Sequence, residues 1–301
     1  MTARILDRGY RRYTGPRAGV RGAIRTVWLQ SIQRALGLRR STWAKVLPVG
    51  MILISYVPAI VFIGIVAFIP ADQFTQTRVG ADGTLQQTLG FALPTYGEYF
   101  GFIASALVLF VAFVGPEILC TDRRTGMLGL YLASPLTRDS YLVGKALATA
   151  TVLAFVTVGP PLLMLIAFVI QGQGPDGPVG VLLTVPRIVG AGVAITGVYT
   201  AFSMGISSLT DRKSFATAGL ILFFFMSSVL TGILIDVLNF SSNAIVVNIF
   251  VFPLALVEKV HGEHAHYYDV SMAAVILAAV GWTLVWGLVC RTRYKLLTVV
   301  K

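Results

Sequence analysis

Imidazole and carboxylate side chains are most concentrated between residues 261 and 269. His261, His264 and His266 lie beside Glu263 and Asp269. Imidazole nitrogens and carboxylate oxygens are the groups that hold zinc in proteins. Their spacing matches no established metal motif, however, so a metal site and a solvated loop are both open. We favour the solvated loop and assign no metal ligand.

Motifs for other site chemistry are absent from the sequence. There is no G-x-x-x-x-G-K-[ST] loop, no nucleophile elbow and no H-E-x-x-H pair. We therefore expect no catalytic and no cofactor-binding residue in this chain. Cys120 and Cys290 both lie at membrane edges predicted below to face the cytoplasm, so we expect reduced thiols and no disulfide.

The composition indicates a membrane protein. Hydrophobic residues make up 56% of the chain and charged residues only 12%, against about 25% charged in soluble domains. A membrane-crossing helix needs about 20 consecutive apolar residues. Six runs qualify, and they predict an all-α protein with six transmembrane helices: residues 47–69, 100–119, 146–170, 188–209, 215–235 and 270–290.

The distribution of basic residues predicts the orientation. All but three of the 24 Lys and Arg residues fall on one side of the six predicted spans, the exceptions being Arg78, Arg187 and Lys259. Basic segments stay in the cytoplasm, so both termini are predicted to be cytoplasmic. The net charge of +11 then favours anionic lipid over nucleic acid as the partner of the basic segments.

Two further segments are apolar without being predicted to span the membrane. Residues 244–257 are too few to cross and are predicted to form a re-entrant or interfacial segment on the outer side. Residues 20–36 show helical amphipathicity and predict an interfacial helix with Trp28 and Trp43 as anchors. A helix packed on a partner is the alternative. We divide the chain into an arm, 1–46, and a transmembrane domain, 47–301.

The polar stretch 117–145, between the second and third predicted spans, is rich in leucine. Gly126 permits a sharp turn, and Pro135 ends any helix that begins at Met127. Such a helix would present Met127, Leu128, Leu130, Tyr131 and Leu132 as an apolar surface on the cytoplasmic side. Exposed apolar surface favours either the membrane interface or a partner protein, and the residues alone leave both open.

The sequence TDRRTGMLGLYLASPLTRDSYLVGK resembles the first cytoplasmic loop of ABC-2 type permeases, the membrane subunits of many bacterial ATP-binding cassette exporters. Arg124 and Gly129 depart from the family pattern, in which acidic residues are expected. The matching residues are Asp122, Arg123, Gly126, Leu128, Leu130, Ser134, Pro135, Leu136, Thr137, Arg138, Gly144 and Lys145.

The resemblance implies an ABC-2, type V exporter-like fold in a bacterial cell membrane. It implies docking of the loop on a cytoplasmic ABC ATPase, present in two copies, which binds the ATP and Mg. A second permease, the same chain or a paralogue, completes the assembly. The residues that the resemblance assigns to ATPase coupling are Glu117, Asp122, Arg123, Gly126, Met127, Leu128, Leu130, Tyr131, Leu132, Pro135 and Arg138.

In that family the second and fifth spans face the central path. The side chains there are largely aromatic, which would suit a hydrophobic or amphipathic substrate, although rings that pack between helices or face lipid are an equal alternative. The candidate path residues are Phe102, Ser105, Phe110, Phe113, Phe223, Phe224, Met226, Ser227 and Thr231.

Two other functions remain as alternatives. An ion-coupled carrier or channel would need titratable groups near the bilayer centre, and the middles of the predicted spans carry none. A sodium site at a helix broken by Pro160 and Pro161 stays open. A scaffold or sensor without transport would anchor a cytoplasmic partner through the basic arm and the loop.

Overall fold

The computed structural model describes residues 19–38, 42–69, 77–79, 85–87, 94–132, 135–175, 177–262 and 270–297. The helices among them are α1 Gly19–Ala35, α2 Thr42–Phe68, α3 Tyr96–Arg124, α4 Met127–Leu132, α5 Arg138–Thr157, α6 Gly159–Ile170, α7 Gly177–Leu209, α8 Lys213–Gly232, α9 Phe252–His261 and α10 Met272–Leu296. A π-helical turn, Ile233–Val237, extends α8, and a 3-10 helix, Ser242–Val247, precedes α9.

A small antiparallel hairpin lies between α2 and α3. Its strands are β1, Thr77–Val79, and β2, Leu85–Gln87. Arg78 pairs with Gln86 at the centre of the register.

Six helical stretches in the described ranges are long and apolar enough to cross a membrane, which confirms the predicted number. They are Lys45–Phe68, Tyr96–Arg124, Arg138–Ile170, Gly177–Leu209, Lys213–Val237 and Met272–Leu296. The third and fourth begin 8 and 11 residues before the predicted starts at 146 and 188. Helical hydrogen bonding continues through polar residues, whereas hydropathy marks only the apolar part.

Helix α3 is the centre of the bundle. It packs against α2, α5, α7, α8 and α9. In its most apolar stretch, two-thirds of the residues are buried. A capping box begins it, since Thr95 Oγ1 accepts from the Glu98 amide and the Glu98 carboxylate accepts from the Thr95 amide. Burial of the large side chains of Tyr99, Phe100 and Phe110 stabilises this arrangement.

The third span is broken where the sequence has two prolines. Helix α5 ends at Thr157, and α6 begins at Gly159 with Pro160 in its first turn, where a proline ring suits the helix start. The Tyr56 hydroxyl donates to the Phe155 carbonyl at 3.2 Å. A tyrosine side chain thus occupies one carbonyl beside the break, and the sodium site stays an open alternative.

Helix α1 packs along the cytoplasm-facing half of α5 in the predicted topology. Val27 is buried, and its Cγ1 lies 3.1 Å from the position of a Cβ added to Gly144, so the two backbones approach closely. Trp28 Nε1 donates to Thr151 Oγ1 at 3.0 Å. Trp28 is thus attached to α5, and its assignment as a membrane anchor stays a prediction. The side chain of Trp43 lies outside the described residues.

The 244–257 stretch, predicted to be re-entrant, forms two short helices joined by a bend. Neither the 6-residue 3-10 helix nor the 10-residue α9 is long enough to cross a membrane. Buried Asn248 stabilises the bend because its Oδ1 accepts from the amides of Phe250, at 3.0 Å, and Val251, at 3.2 Å. Trp282 Nε1 donates to the Val246 carbonyl at 2.9 Å. Protein groups therefore satisfy the bent backbone.

Candidate docking site at the basic end

Helix α4 lies at the end of the bundle that carries Arg34, Arg123, Arg138, Lys213 and Arg291, which we call the basic end. Ion pairs and hydrogen bonds join these five side chains to residues of α3, α5, α7 and α10. Helix α1 and the last turn of α10 both lie here, so the two ends of the described chain share one end of the bundle.

The turn between α3 and α4 requires glycine. Gly126 has φ +68°, in the left-handed region that L side chains rarely adopt. The Thr125 amide donates to the Thr121 carbonyl at 3.0 Å and closes the last turn of α3. The six residues from Met127 then form the short helix predicted from the sequence.

Behind α4 lies a buried carboxylate with three partners. The side chain of Asp122 has 0% exposure, and Lys145 Nζ, itself 1% exposed, lies 2.6 Å from Asp122 Oδ2. Tyr141 Oη donates to the same oxygen at 2.9 Å, and Arg34 of α1 pairs with Oδ1. These contacts join α1, α3 and α5 through a single side chain. The two cations and the tyrosine hydroxyl also compensate the cost of burying the Asp122 charge.

Aromatic rings connect α4 to this cluster. The Tyr131 and Tyr141 ring centroids lie 5.5 Å apart, and Tyr141 stacks on Tyr294 of α10 at 6.1 Å. Lys145 Nζ lies 5.6 Å from the Tyr131 centroid and 5.5 Å from that of Tyr141, which allows cation–π attraction. Burial, together with the nearby Asp122 charge, raises the pKa of Tyr131. Tyr131 therefore contacts the bundle through its ring.

Two further contacts join α3 to the turn between α7 and α8. Arg123 Nη1 donates to the carbonyls of Ser208, at 2.7 Å, and Thr210, at 3.0 Å. Lys213 Nζ lies 2.6 Å from Glu117 Oε2. These contacts attach the end of α3 to the start of α8.

The contacts of α5 with α10 complete the basic end. Arg138 Nη1 donates to the Tyr294 carbonyl at 3.2 Å and also to that of Lys295. Asp139 and Arg291 form a two-bond ion pair, each bond 3.0 Å long. These interactions hold the start of α5 against the last turns of α10.

The exposed surface of α4 is smaller than the sequence indicated. None of its residues is fully buried, but only Leu130, at 67% exposure, points clearly outward. Met127 and Leu132 are half-buried, and Leu128 and Tyr131 pack against the cluster around Tyr141. The five apolar residues do not form one surface, because a helix turns by 100° per residue and its second face lies on the bundle.

Sequence reasoning missed Arg34, Tyr141 and Tyr294 as members of this site. They lie 88, 19 and 172 positions from Asp122, and only the packing of helices brings them together. One available signal was Asp122 itself, a carboxylate directly after an apolar run. Lys145 appeared only through the loop resemblance. Pro135 is exposed beside α4.

The nine candidate path residues do not share a surface. Phe110, Phe224, Ser227 and Thr231 are buried within the chain, and Phe223 and Phe113 are half-buried. The rings of Phe223 and Phe224 both contact Phe202 of α7, at 5.1 Å. Phe102, Ser105 and Met226 are exposed. The four buried side chains pack between helices of this chain, and the assignment of the nine residues to a substrate path stays a prediction.

Most of the histidine and carboxylate cluster that begins at His261 lies outside the described residues. His264, His266, Glu263 and Asp269 belong to that group. His261 ends α9, its Nδ1 lies 3.0 Å from the Val257 carbonyl, and its ring lies 4.8 Å from that of Tyr96. Burial lowers the pKa of His261. In the described ranges, no three His, Cys, Asp or Glu residues are grouped as metal ligands. Cys120 and Cys290 are free, buried thiols.

A comparison with known protein families identifies the family of this chain. The profile of the family described as ABC-2 family transporter protein matches residues 35–295. A comparison with curated proteins finds no match. The family match includes α2 to α10 and all six apolar helical stretches. The chain therefore belongs to the ABC-2 transporter family and is a multi-pass membrane permease of an ABC transporter.

Proposed function

We propose that this chain is the permease subunit of an ATP-driven exporter and that α4 is the helix that docks on a separate cytoplasmic ABC ATPase. The observation that carries the proposal is the two-sided structure of α4. Its outer side exposes Leu130, whereas its inner side contacts the buried Asp122 cluster through Tyr131. A helix that only rested in lipid would need no such connection to a buried ion pair.

The contacts behind α4 offer a route for mechanical coupling. Closure of an ATPase dimer against α4 acts on α3 through the turn at Gly126. It acts on α5 and α10 through the Tyr131, Tyr141 and Tyr294 rings. Arg123 extends the same movement to the turn between α7 and α8. Packed side chains transmit small shifts because the interior resists compression.

The orientation in the membrane follows from the charge distribution. The basic end faces the cytoplasm of a bacterial cell, since Lys and Arg are retained on that side. Both termini are then cytoplasmic, and the bent segment at Asn248 lies on the outer side as a re-entrant structure. The ATP and Mg are bound by the ATPase, of which two copies dock on two permease chains, identical or paralogous.

We place the second permease and the substrate against the path candidates that are exposed, as part of the proposal. Phe102, Ser105 and Met226 are the members of the set that point outward from α3 and α8. If the second permease faces these residues, the path between the two chains is mostly apolar, and Ser105 contributes its one hydroxyl. Such a path suits a hydrophobic or amphipathic substrate.

Substitution of Leu130 tests the docking role directly. A tagged chain is purified from its native cells in mild detergent, and the co-purifying P-loop ATPase is quantified. Leu130→Asp places a charge in the contact, and the loss of a buried contact of this kind costs about 2 kcal/mol or more. We expect the yield of ATPase to fall at least tenfold. Leu296→Asp, at another exposed leucine of the basic end, is the matched control and should retain the ATPase.

A monodisperse Leu130→Asp chain that still binds the ATPase and still transports would refute the docking role of α4. Loss of monodispersity in both variants would point to misfolding. Helical content measured by circular dichroism separates that case from loss of the contact.

A further inference from the structure

A groove opens on the outer surface of the bundle between α5, α7 and α10. Its volume is about 570 Å³, within the range of ~300 to 1,000 Å³ typical of small-molecule sites. Exposed Val143 and Leu147 form one wall, and Gly287 with the neighbouring turns of α10 forms the other. A second apolar hollow of about 270 Å³, which shares Gly197 and Thr283, continues it along α7 and α10.

Missing side chains create this groove, and the surrounding helices are otherwise closely packed. A Cβ added to Gly197 of α7 or Gly287 of α10 would meet nothing within 4 Å. Two turns further along α7, a Cβ on Gly205 would lie 2.6 Å from the Trp286 ring. The same two helices are thus tightly fitted at Gly205 and open at Gly197.

The dimensions of the groove match one leaflet of a bilayer. Along α10 it runs from Arg291 to Ala279, which at 1.5 Å per residue is about 18 Å. One leaflet contributes about half of the ~30 Å hydrocarbon core. An acyl chain that enters at Arg291 would therefore fill the groove to its far end.

The mouth of the groove is charged, whereas the wall is apolar. Arg291 pairs with Asp139 through Nε and Nη2, which leaves Nη1 unused in that pair. The guanidinium is half-exposed, and Lys295 follows one turn later on the same exposed side of the basic end. Guanidinium and ammonium groups recognise phosphate oxygens. The Asp139 carboxylate repels an anion and limits the affinity.

One wall residue is polar and unpaired. Thr200 is 6% exposed, and its Oγ1 has no hydrogen-bond partner among the described residues. A hydroxyl in an otherwise apolar wall weakens the binding of an acyl chain, since its desolvation is not compensated. A polar ligand at the same depth would instead gain a hydrogen bond. A substitution of Thr200 therefore distinguishes an acyl chain from a polar ligand in the groove.

We propose that this groove binds an anionic glycerophospholipid of the leaflet at the basic end, with one acyl chain between α5 and α10 over α7 and the phosphate at Arg291 and Lys295. The lipid fills a gap between three spans without lying on the faces of α3 and α8 that carry the exposed path candidates. No residue of α4 lines this groove.

Native mass spectrometry of the full chain in mild detergent, after delipidation and addition of dioleoyl phosphatidylglycerol or dioleoyl phosphatidylcholine, tests the proposal. Gly287→Leu fills the groove, and displacement of about two methylenes should weaken phosphatidylglycerol binding about tenfold. Gly197→Leu, on α7 at the floor of the groove, should act in the same direction. Gly281→Leu is the control, because that position is equally open and does not line the groove.

Substitutions of the charged and polar residues should change lipid binding in opposite directions. Arg291→Gln should lower the preference for phosphatidylglycerol over phosphatidylcholine, whereas Asp139→Asn should raise it by removing the repelling charge. Thr200→Val should increase retention of either lipid.

Equal lipid retention by Gly287→Leu, Gly197→Leu and Gly281→Leu would overturn the site. If the unmodified chain retained phosphatidylglycerol and phosphatidylcholine equally, the proposed preference for an anionic headgroup would be wrong. A loss of lipid binding in Thr200→Val would show that the bound lipid needs the Thr200 hydroxyl, which contradicts an acyl chain at that position. If Gly287→Leu converts dimers to monomers in light scattering without changing bound lipid, a second copy of the chain occupies the groove, and the lipid proposal is wrong.

Discussion

Asp122 and Lys145 form an ion pair with 2.6 Å between Oδ2 and Nζ, and both side chains are almost completely removed from solvent. Arg34 and Tyr141 complete the coordination of the carboxylate. Taking charges out of water is costly, and such a pair is maintained only when each polar atom finds a partner. The pair lies directly behind α4, where its geometry determines how α3 and α5 are held together.

Removal of the Asp122 charge should destabilise the chain strongly. Asp122→Asn leaves Lys145 buried without a counter-charge, which costs about 3–5 kcal/mol. We expect a clear drop in the thermal unfolding temperature of the purified protein in detergent. In Asp122→Asn/Lys145→Gln the loss should be smaller than in Asp122→Asn alone. A double variant at least as unstable as the sum of the single variants would contradict the pairing.

Substitution of Gly126 should separate assembly from transport. Gly126→Ala places a side chain at φ +68°, which costs about 1 kcal/mol and shifts the angle between α3 and α4. We expect the ATPase to co-purify while substrate-stimulated hydrolysis in proteoliposomes falls severalfold. Gly101→Ala, where a Cβ also meets open space but φ is negative, should behave as the unmodified chain does. Equal activity of the two variants would argue against a coupling role for the turn.

Arg123 should matter for coupling to α8 more than for docking. Arg123→Gln is too short to reach both the Ser208 and Thr210 carbonyls, so the turn between α7 and α8 loses one of its two links to α3 and keeps the Glu117–Lys213 pair. We expect unchanged ATPase pull-down and reduced transport. Arg124→Gln, at an exposed position next to it, serves as the control. Reduced pull-down in Arg123→Gln would place this residue in the docking contact instead.

Asn248 should stabilise the bent segment at the end of the bundle opposite α4. Asn248→Leu leaves the amides of Phe250 and Val251 without their side-chain acceptor, and each unsatisfied buried donor costs about 1–3 kcal/mol. We expect faster proteolysis between α8 and α10 and a lower unfolding temperature. Asn248→Asp retains the acceptor oxygens and should be cut more slowly than the leucine variant. Similar cutting of the two variants would contradict the proposed cap.

Cysteine labelling should settle the orientation. In a background with Cys120→Ala and Cys290→Ala, His264→Cys should react with an impermeant thiol reagent in intact cells. Ser214→Cys, at the start of α8, should react only after permeabilisation, because the basic end is cytoplasmic in the proposed topology. The reverse pattern would invert the topology and remove α4 from the reach of a cytoplasmic ATPase.

Local patterns were enough to predict the six spans and the short helix from Met127 to Leu132. Hydropathy over about 20 residues is a property of a continuous segment, and glycine and proline at 126 and 135 mark the ends of a helix without reference to the rest of the chain. The loop resemblance likewise depended on one continuous stretch. The family match over residues 35–295 agrees with these predictions.

The tertiary structure decided which side chains meet. Arg34 and Asp122 are 88 residues apart, and Trp28 reaches Thr151 across 123 residues, contacts that no local periodicity contains. The same packing buries Phe224 and Thr231, which the sequence offered as path residues, and leaves Leu130 exposed while Tyr131 faces the cluster. Apolar character makes a residue equally suited to lipid, to a path or to a helix interface. Only the positions of neighbouring helices select among these three surroundings.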